Sequence, residues 1–364
     1  MRRRQGERDS AGGRTTNDFS GGKLEPISKW PGRASIARES GGGIANFFLS
    51  NEFGLIVGIC IFIAIFSWVD ANFWSPFNLF VISRSAGVYA LIGLSMMAVI
   101  ATGGLSLAIG AIGVCAAMAF GWAIESAGLH LSASLAVALA VALALGYVNG
   151  WLVVRTGIHS FVITLATMSV FFGGMLFLSQ GQSFRALPAE ITEFGRLKVF
   201  SISALFLTAV AVALLLAAFY RFAALGREML AAGACPEAAE LSGVHSGRMF
   251  ILCHVLSAGL AGIAALLVTA RFGAAIPSMA GQLGQDWLMP GFLAPVLGGT
   301  LLSGGRVSVP GTVLGAILVT ILANGLLRMS IGEFWVQAIL GCLLLAAVLG
   351  DVMRKRYLAA SGRA

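Results

Sequence analysis

The fold class the sequence predicts is all-α: a polytopic membrane helix bundle of roughly ten spans, with discontinuous segments and one short cytoplasmic helix. Three observations predict it. The chain of 364 residues is 58% hydrophobic and only 11% charged, with a mean hydropathy of +0.89, and no globular core of this length hides that much apolar surface. Its apolar residues form long continuous blocks without strict alternation, so helices, not barrel strands, satisfy the backbone in lipid. Lys and Arg gather at the two ends, at Arg2, Arg3, Arg4, Arg8 and Arg14 in front and Arg354, Lys355 and Arg356 behind. Since these residues collect on the cytoplasmic side of a membrane, both termini are expected there.

In chain order, residues 1–50 are rich in Gly, Ser and Arg without apolar periodicity, and read as a basic cytoplasmic tail lacking fixed structure. A secretory signal would place its apolar region within the first ~30 residues; here the first apolar run starts near Phe53. A membrane domain then fills 51–352, and 353–364 is a second cytoplasmic tail. Within the domain, spans are expected at about 54–70, 79–101, 105–124, 131–150, 160–180, 201–220, 250–271, 287–303, 309–329 and 334–351, each boundary good to a few residues. An even count returns the C-terminus inside. It also places the connection with Arg155 and His159, the segment 221–249 and the turn with Arg306 in the cytoplasm. The loop 181–200 faces outward, and its Arg185, Arg196 and Lys198 are an exception, partly balanced by Glu190 and Glu193.

Several chemistries are excluded. The net charge of +8 comes without a basic folded face carrying interleaved aromatics, so nucleic acid is not a partner. Cys60, Cys115, Cys235, Cys253 and Cys342 are single and far apart, which makes them small core residues, not disulfide or metal ligands. His130, His159, His245 and His254 are dispersed with no nucleophile or paired carboxylate, so no catalytic set is expected. No GxxxxGK[ST] phosphate loop is present, so the chain carries no ATPase of its own. Ionisable residues near spans are few, Arg84, Asp286 and Arg328, whereas proton- or sodium-driven carriers bury acids as relays.

Two apolar segments are interrupted by polar, glycine-dense patches, ATGGLSLAIG at 101–110 and LGGTLLSGGR at 297–306. Such patches either let helices pack closely through small residues or mark discontinuous helices whose freed backbone groups line a wet path. On the second reading Thr102, Ser106 and Thr300 add hydroxyls to that path. A third segment, GREMLAAGACPEAAELSGV at 226–244, is polar between two apolar runs. Pro236 suits the first position of a helix, Glu237 and Glu240 its first turn, and Ser242-Gly243 its end. Ala238, Leu241 and Val244 fall three apart on a small apolar face beside the acids. A helix of about two turns is marginal alone in water, so something else holds it. A connector lying on the lipid surface is the alternative, but it would favour Lys and Arg over glutamates.

These residues carry a resemblance. Gly226-Arg227, Ala232-Gly233, Glu237-Ala238-Ala239 and Leu241-Ser242-Gly243-Val244 resemble the EAA-type coupling loop of ATP-binding-cassette importer permeases of the ribose/sugar-type branch. Thr102-Gly103-Gly104 with Leu107 and Gly110 resembles that family's TGGIDLSVG, and Val296 to Thr300 with Leu302 to Arg306 resembles its VLGGTSLSGGRGS. Asn149-Gly150 and Thr164 to Met168 match as well, and the similarity covers about residues 53–352. In four places the chain departs: Ser106 stands for the usual Asp, Ala108 for Ser, Cys235 for Asn, and Pro290 for an acid or neutral residue, which makes the path less charged.

The resemblance implies a subunit without enzymatic activity or cofactor, in a bacterial inner membrane. Two such permeases, a second copy or a related chain, would form the pore, two separate ATPase subunits would use the ATP, and an extracytoplasmic solute-binding protein would deliver a sugar or similar polyhydroxylated solute. It implies an ATPase-coupling interface at Gly226, Arg227, Gly233, Pro236, Glu237, Ala238, Ala239, Glu240, Leu241, Ser242 and Gly243. Path candidates are Thr102, Gly103, Gly104, Ser106, Asn149, Thr164, Thr167, Gly298, Gly299 and Thr300. The competing readings are an ion-coupled secondary transporter and an assembly protein without transport.

Overall fold

A computed structural model of the protein describes residues 51–360; the expected tail 1–50 and residues 361–364 lie outside them. Among the described residues there are thirteen α-helices: α1 (Asn51–Val69), α2 (Pro76–Ile100), α3 (Ile109–Glu125), α4 (Leu131–Thr156), α5 (Ser160–Ser179), α6 (Ala189–Arg196), α7 (Ala204–Phe222), α8 (Ala224–Ala234), α9 (Pro236–Leu241), α10 (Ser246–Phe272), α11 (Leu288–Leu297), α12 (Val309–Arg328) and α13 (Glu333–Ala360). Two-residue strands, β1 (Lys198–Val199) and β2 (Ile202–Ser203), pair antiparallel between α6 and α7.

Local chemistry sets the helix starts. Ser75 caps α2 by accepting from Asn78 N at 3.3 Å, with Pro76 next in line, and Ser308 caps α12 by accepting from Gly311 N at 3.0 Å. His159 caps α5 through Nδ1, which accepts from Phe161 N at 3.2 Å.

Each of the ten apolar segments expected as spans contains a helix, but the helices are of unequal length. Seven helices, α1, α2, α4, α5, α7, α10 and α12, are long and apolar enough to cross a membrane. The glycine patches cut two of the others short: α3 begins only at Ile109 and has 17 residues, and α11 stops at Leu297 after 10. In α13 the apolar stretch is Phe334–Ala346, and the helix runs on into the expected C-terminal tail. At about 1.5 Å rise per residue, neither α3 nor α11 covers a ~30 Å hydrocarbon layer.

The core is built on α2 and α10. Ser95 Oγ donates to Ser257 O at 2.8 Å, a buried polar clasp between them, and α2 is fully buried from Ala90 through Met97 to Ile100. Around this centre α1, α5 and α7 present exposed Trp68, Phe177, Leu178, Leu214 and Leu215, the surface expected of lipid-facing helices. Cysteines divide: Cys115 and Cys253 are buried, while Cys60, Cys235 and Cys342 are exposed, which corrects the expectation that all are core residues. Where α1 and α12 end together, Arg328 pairs with Asp70 and holds its carboxyl below the usual range.

Between α10 and α11 the chain turns back into the bundle. Phe184 and Ala275 exchange backbone hydrogen bonds of 3.0 and 2.9 Å near Gly121, at the end of α3. Nine residues later, Gly284 lies against Gly110, at the start of α3, and Trp287 lies on Gly113, which also faces Ala261 midway along α10. The 3-10 turn Gln282–Trp287 is therefore seated in the middle of the bundle. A Cβ on Gly110 would stand 2.1 Å from Gly284 O. Gly110→Val is expected to lower the melting temperature in detergent by about 5–10 °C, because backbone cannot yield as a side chain would. Wild-type melting of that variant would show that the turn is not seated there.

Candidate functional site

The segment 224–245 is built as a block. Arg227 Nη1 donates to Phe222 O at 2.8 Å, satisfying a carbonyl at the end of α7, and Gly226 lets α8 fold against Phe219 and Tyr220. Cys235 is extended and breaks the chain between α8 and α9. Pro236 then opens α9 and Gly243, at φ +85°, closes it. Ser246 Oγ donates to Pro236 O at 3.1 Å and Val244 N to Ala239 O at 3.0 Å, so the start of α10 and the turn before it hold the six-residue helix. This supplies the support that a helix so short requires.

Ala239 alone in α9 is buried; Glu237, Ala238, Glu240 and Leu241 are exposed, Leu241 to 92%. An apolar side chain so exposed beside two acids, off the membrane-spanning helices, suits a partner surface.

Below this helix the three sequence motifs converge, and they meet through backbone. A Cβ on Gly233 would stand 2.0 Å from Ala101 O and 2.9 Å from Gly305 N. Gly305 N donates to Ala101 O at 2.9 Å, and a Cβ on Gly304 would stand 2.6 Å from Gly103 N and 2.8 Å from Gly233 O. Gly304 is at φ +86°, a conformation that favours glycine. The end of α8, the α2–α3 link and the α11–α12 link thus form one joint, at the end of the bundle where α2 and α4 finish and α5 and α10 begin.

The other predicted residues extend from this joint. Leu105 N donates to Ser160 Oγ at 2.8 Å and Leu107 N to Thr164 Oγ1 at 3.0 Å, so α5 satisfies backbone of the first link that no helix pairs. Thr167 lies one turn further along α5, and Thr102 donates to Val99 O at 3.0 Å. Ser106 is buried, and Gly104 is enclosed by Val99 and Ser160. Gly298 packs on Gly311; Gly299, at φ +80°, turns the chain; and Thr300 Oγ1 accepts from Ser308 N at 3.3 Å. Asn149 stands apart, buried on α4 with neither side-chain atom partnered among the described residues. Gly146 and Gly150 beside it pack on α10 at His254, whose Nε2 also lacks a partner.

Sequence reasoning missed α8 and also the inward 3-10 turn, which exposes Gln282, Gln285 and Asp286. The available signal was SMAGQLGQD at 278–286, a polar glycine-containing stretch before an apolar run too short to cross. Exposed amides and a carboxylate at mid-depth do not face hydrocarbon at acceptable cost. That side of the turn therefore faces protein or water.

A polytopic bundle with discontinuous helices jointed to an exposed polar helix fits the class of membrane transport proteins. The chain belongs to the family of branched-chain amino acid transport system permease components, whose model matches residues 78–348. It is 31% identical over 303 residues to the ribose import permease protein RbsC of Bacillus subtilis (strain 168), covering 82% of this chain and 92% of that one. Identity to the fructose import permease protein FrcC of Rhizobium meliloti is 30% over 305 residues, 82% of this chain and 84% of the relative. The autoinducer 2 import system permease protein LsrC of Yersinia pseudotuberculosis is 29% identical over 307 residues, 84% of this chain and 86% of the relative. No solved structure matches the chain.

Proposed function

We propose that the chain is the permease subunit of an ATP-driven importer of a sugar or similar polyhydroxylated solute, in a bacterial inner membrane with both termini cytoplasmic. The observation that carries this reading is the joint: the end of α8 touches both helix-breaking links and α9 follows it directly, so force applied to α9 reaches α2, α3, α11 and α12 together. Separate ATPase subunits use the ATP and grip α9 at Glu237, Glu240 and Leu241, with Gly226, Arg227, Gly233 and Gly243 shaping the handle. An extracytoplasmic binding protein delivers the solute. The sugar class is suggested by the ribose and fructose permeases among the relatives. Nothing in those relatives favours an ion-coupled carrier.

A second permease, identical or related, completes the pore. The exposed face of α5 carries Ala166, Ser169 and Gly173, small enough for close helix approach, and the same region exposes Gln282, Gln285 and Asp286. Together with Thr102, Ser106, Thr164, Thr167 and Thr300 these polar groups supply hydrogen bonds for a hydroxylated solute as the joint opens.

Reconstitution tests the whole reading. Proteoliposomes holding this chain, its ATPase partner and the binding protein are expected to accumulate labelled sugar with ATP inside, and to keep doing so when ionophores abolish ion gradients. Uptake that survives ATP depletion and collapses with the ionophore would overturn it.

A further inference from the structure

Four cations meet at the end of the bundle opposite α9, and transport as proposed uses none of them. Arg84, on α2, donates from Nη2 to the main-chain oxygen of Arg271 at 2.5 Å, in the last turn of α10. Its Nε is buried without a partner. Arg271 Nη1 donates to Ser85 Oγ at 3.3 Å. Lys198, on β1, holds its ammonium 4.7 Å from the centre of the Phe80 ring, and the Arg84 guanidinium lies 5.9 Å from the same ring. Arg196, the last residue of α6, repels Arg84, as does Arg271. Glu190 and Glu193 on α6 are exposed, and among the described residues none of the four cations pairs with a carboxylate. With Arg84 and Arg271 partly buried and Arg196 and Lys198 exposed beside them, these like charges repel one another and favour an anion among them.

The surroundings say which anion. Leu197, Val199, Phe200, Ile202, Phe77 and Phe272 are exposed around the cations, Phe200 to 97% at the tip of the β1–β2 hairpin. Ser203 N donates to Ser83 Oγ at 3.0 Å and fastens that hairpin to α2. A soluble anion needs no apolar collar. A lipid does, because its phosphate sits at the level of the cations while its chains lie against aromatic and aliphatic side chains. The patch also lies where the spanning helices α2, α7 and α10 begin or end, the level of the headgroups.

We propose that this rim is a binding site for an anionic phospholipid, its phosphate held by Arg84, Arg196, Lys198 and Arg271 and its chains by the hairpin and Phe272. The site accounts for cations on a side of the membrane where the charge rule does not expect them.

The test uses the full chain in nanodiscs of phosphatidylcholine alone or with about a third phosphatidylglycerol. Wild-type protein is expected to melt about 5 °C higher with phosphatidylglycerol and to retain it in native mass spectra. Both residues of the variant Arg196→Gln/Lys198→Gln are exposed, so it is expected to melt like wild type in phosphatidylcholine and to lose most of the shift. Phe200→Ser is expected to reduce lipid retention. An undiminished shift in the double variant overturns the site. An equal shift from inorganic phosphate in phosphatidylcholine nanodiscs overturns the lipid as its ligand.

Discussion

Reversing both acids of α9, as Glu237→Lys/Glu240→Lys, is expected to abolish sugar uptake and ATPase copurification while leaving the amount of membrane-inserted protein unchanged. The two effects separate because the same charges sit in two environments. In the free permease both side chains are exposed on a helix held by Ser246 and Val244, and the loss to the fold is ~1 kcal/mol or less. Against a partner the reversed charges are desolvated and unpaired, at a cost of about 3 kcal/mol or more, which weakens association by at least about 100-fold. Leu241→Asp is expected to behave likewise, since its exposed side chain has no other place to bury. Maleimide labelling of exposed Cys235 gives an independent readout: wild type is expected to label slowly with ATPase present and quickly without it, the double variant quickly in both. Full uptake by the double variant would sink the assignment of α9 as a handle.

Gly233→Val is expected to leave ATPase binding intact and to cut sugar uptake at least about tenfold, with ATP hydrolysis no longer tied to transport. A Cβ at this position would lie 2.0 Å from Ala101 O, and both groups are backbone. The end of α8 must therefore move away from the two links by more than ~1 Å to restore ordinary contact. The centre of the bundle does not depend on this contact, since the Ser95–Ser257 clasp and the packing of α2 on α10 lie elsewhere. The α9 surface is likewise untouched. Ala231→Leu, at an exposed position of the same helix, serves as the control and is expected to transport normally. If Gly233→Val transports like wild type, the joint does not transmit force. If it loses ATPase binding and stability together, Gly233 is a folding residue only.

Much of the site was legible in the sequence because its parts are marked by local chemistry. Pro236, the early acids and Ser242-Gly243 bracket α9 almost to the residue, and Gly103 and Gly299 occur where helices do stop. Two features were not legible. Ala239 is the residue of α9 turned into the protein, and a six-residue helix has no core-facing period long enough to show it. The unequal helix lengths were hidden because hydropathy registers apolar residues and not helix length: 105–124 and 287–303 are largely apolar yet hold helices of only 17 and 10 residues.

By itself the sequence determined that the chain lives in a bilayer, where its helices break, which segment stands polar between apolar runs, and which family it resembles. Each of these follows from composition, capping residues or glycine, which act within a few positions along the chain. Only the tertiary structure decided that Ala101, Gly233 and Gly304 meet in one joint, that Gln282 and Asp286 are carried to mid-depth, and that Arg84 and Arg271 share a rim with Lys198. The physical reason is distance in sequence. Such contacts join residues roughly 70 to 200 positions apart, and no local signal reports them until the helices have packed and set which backbones pass close enough to exclude a side chain.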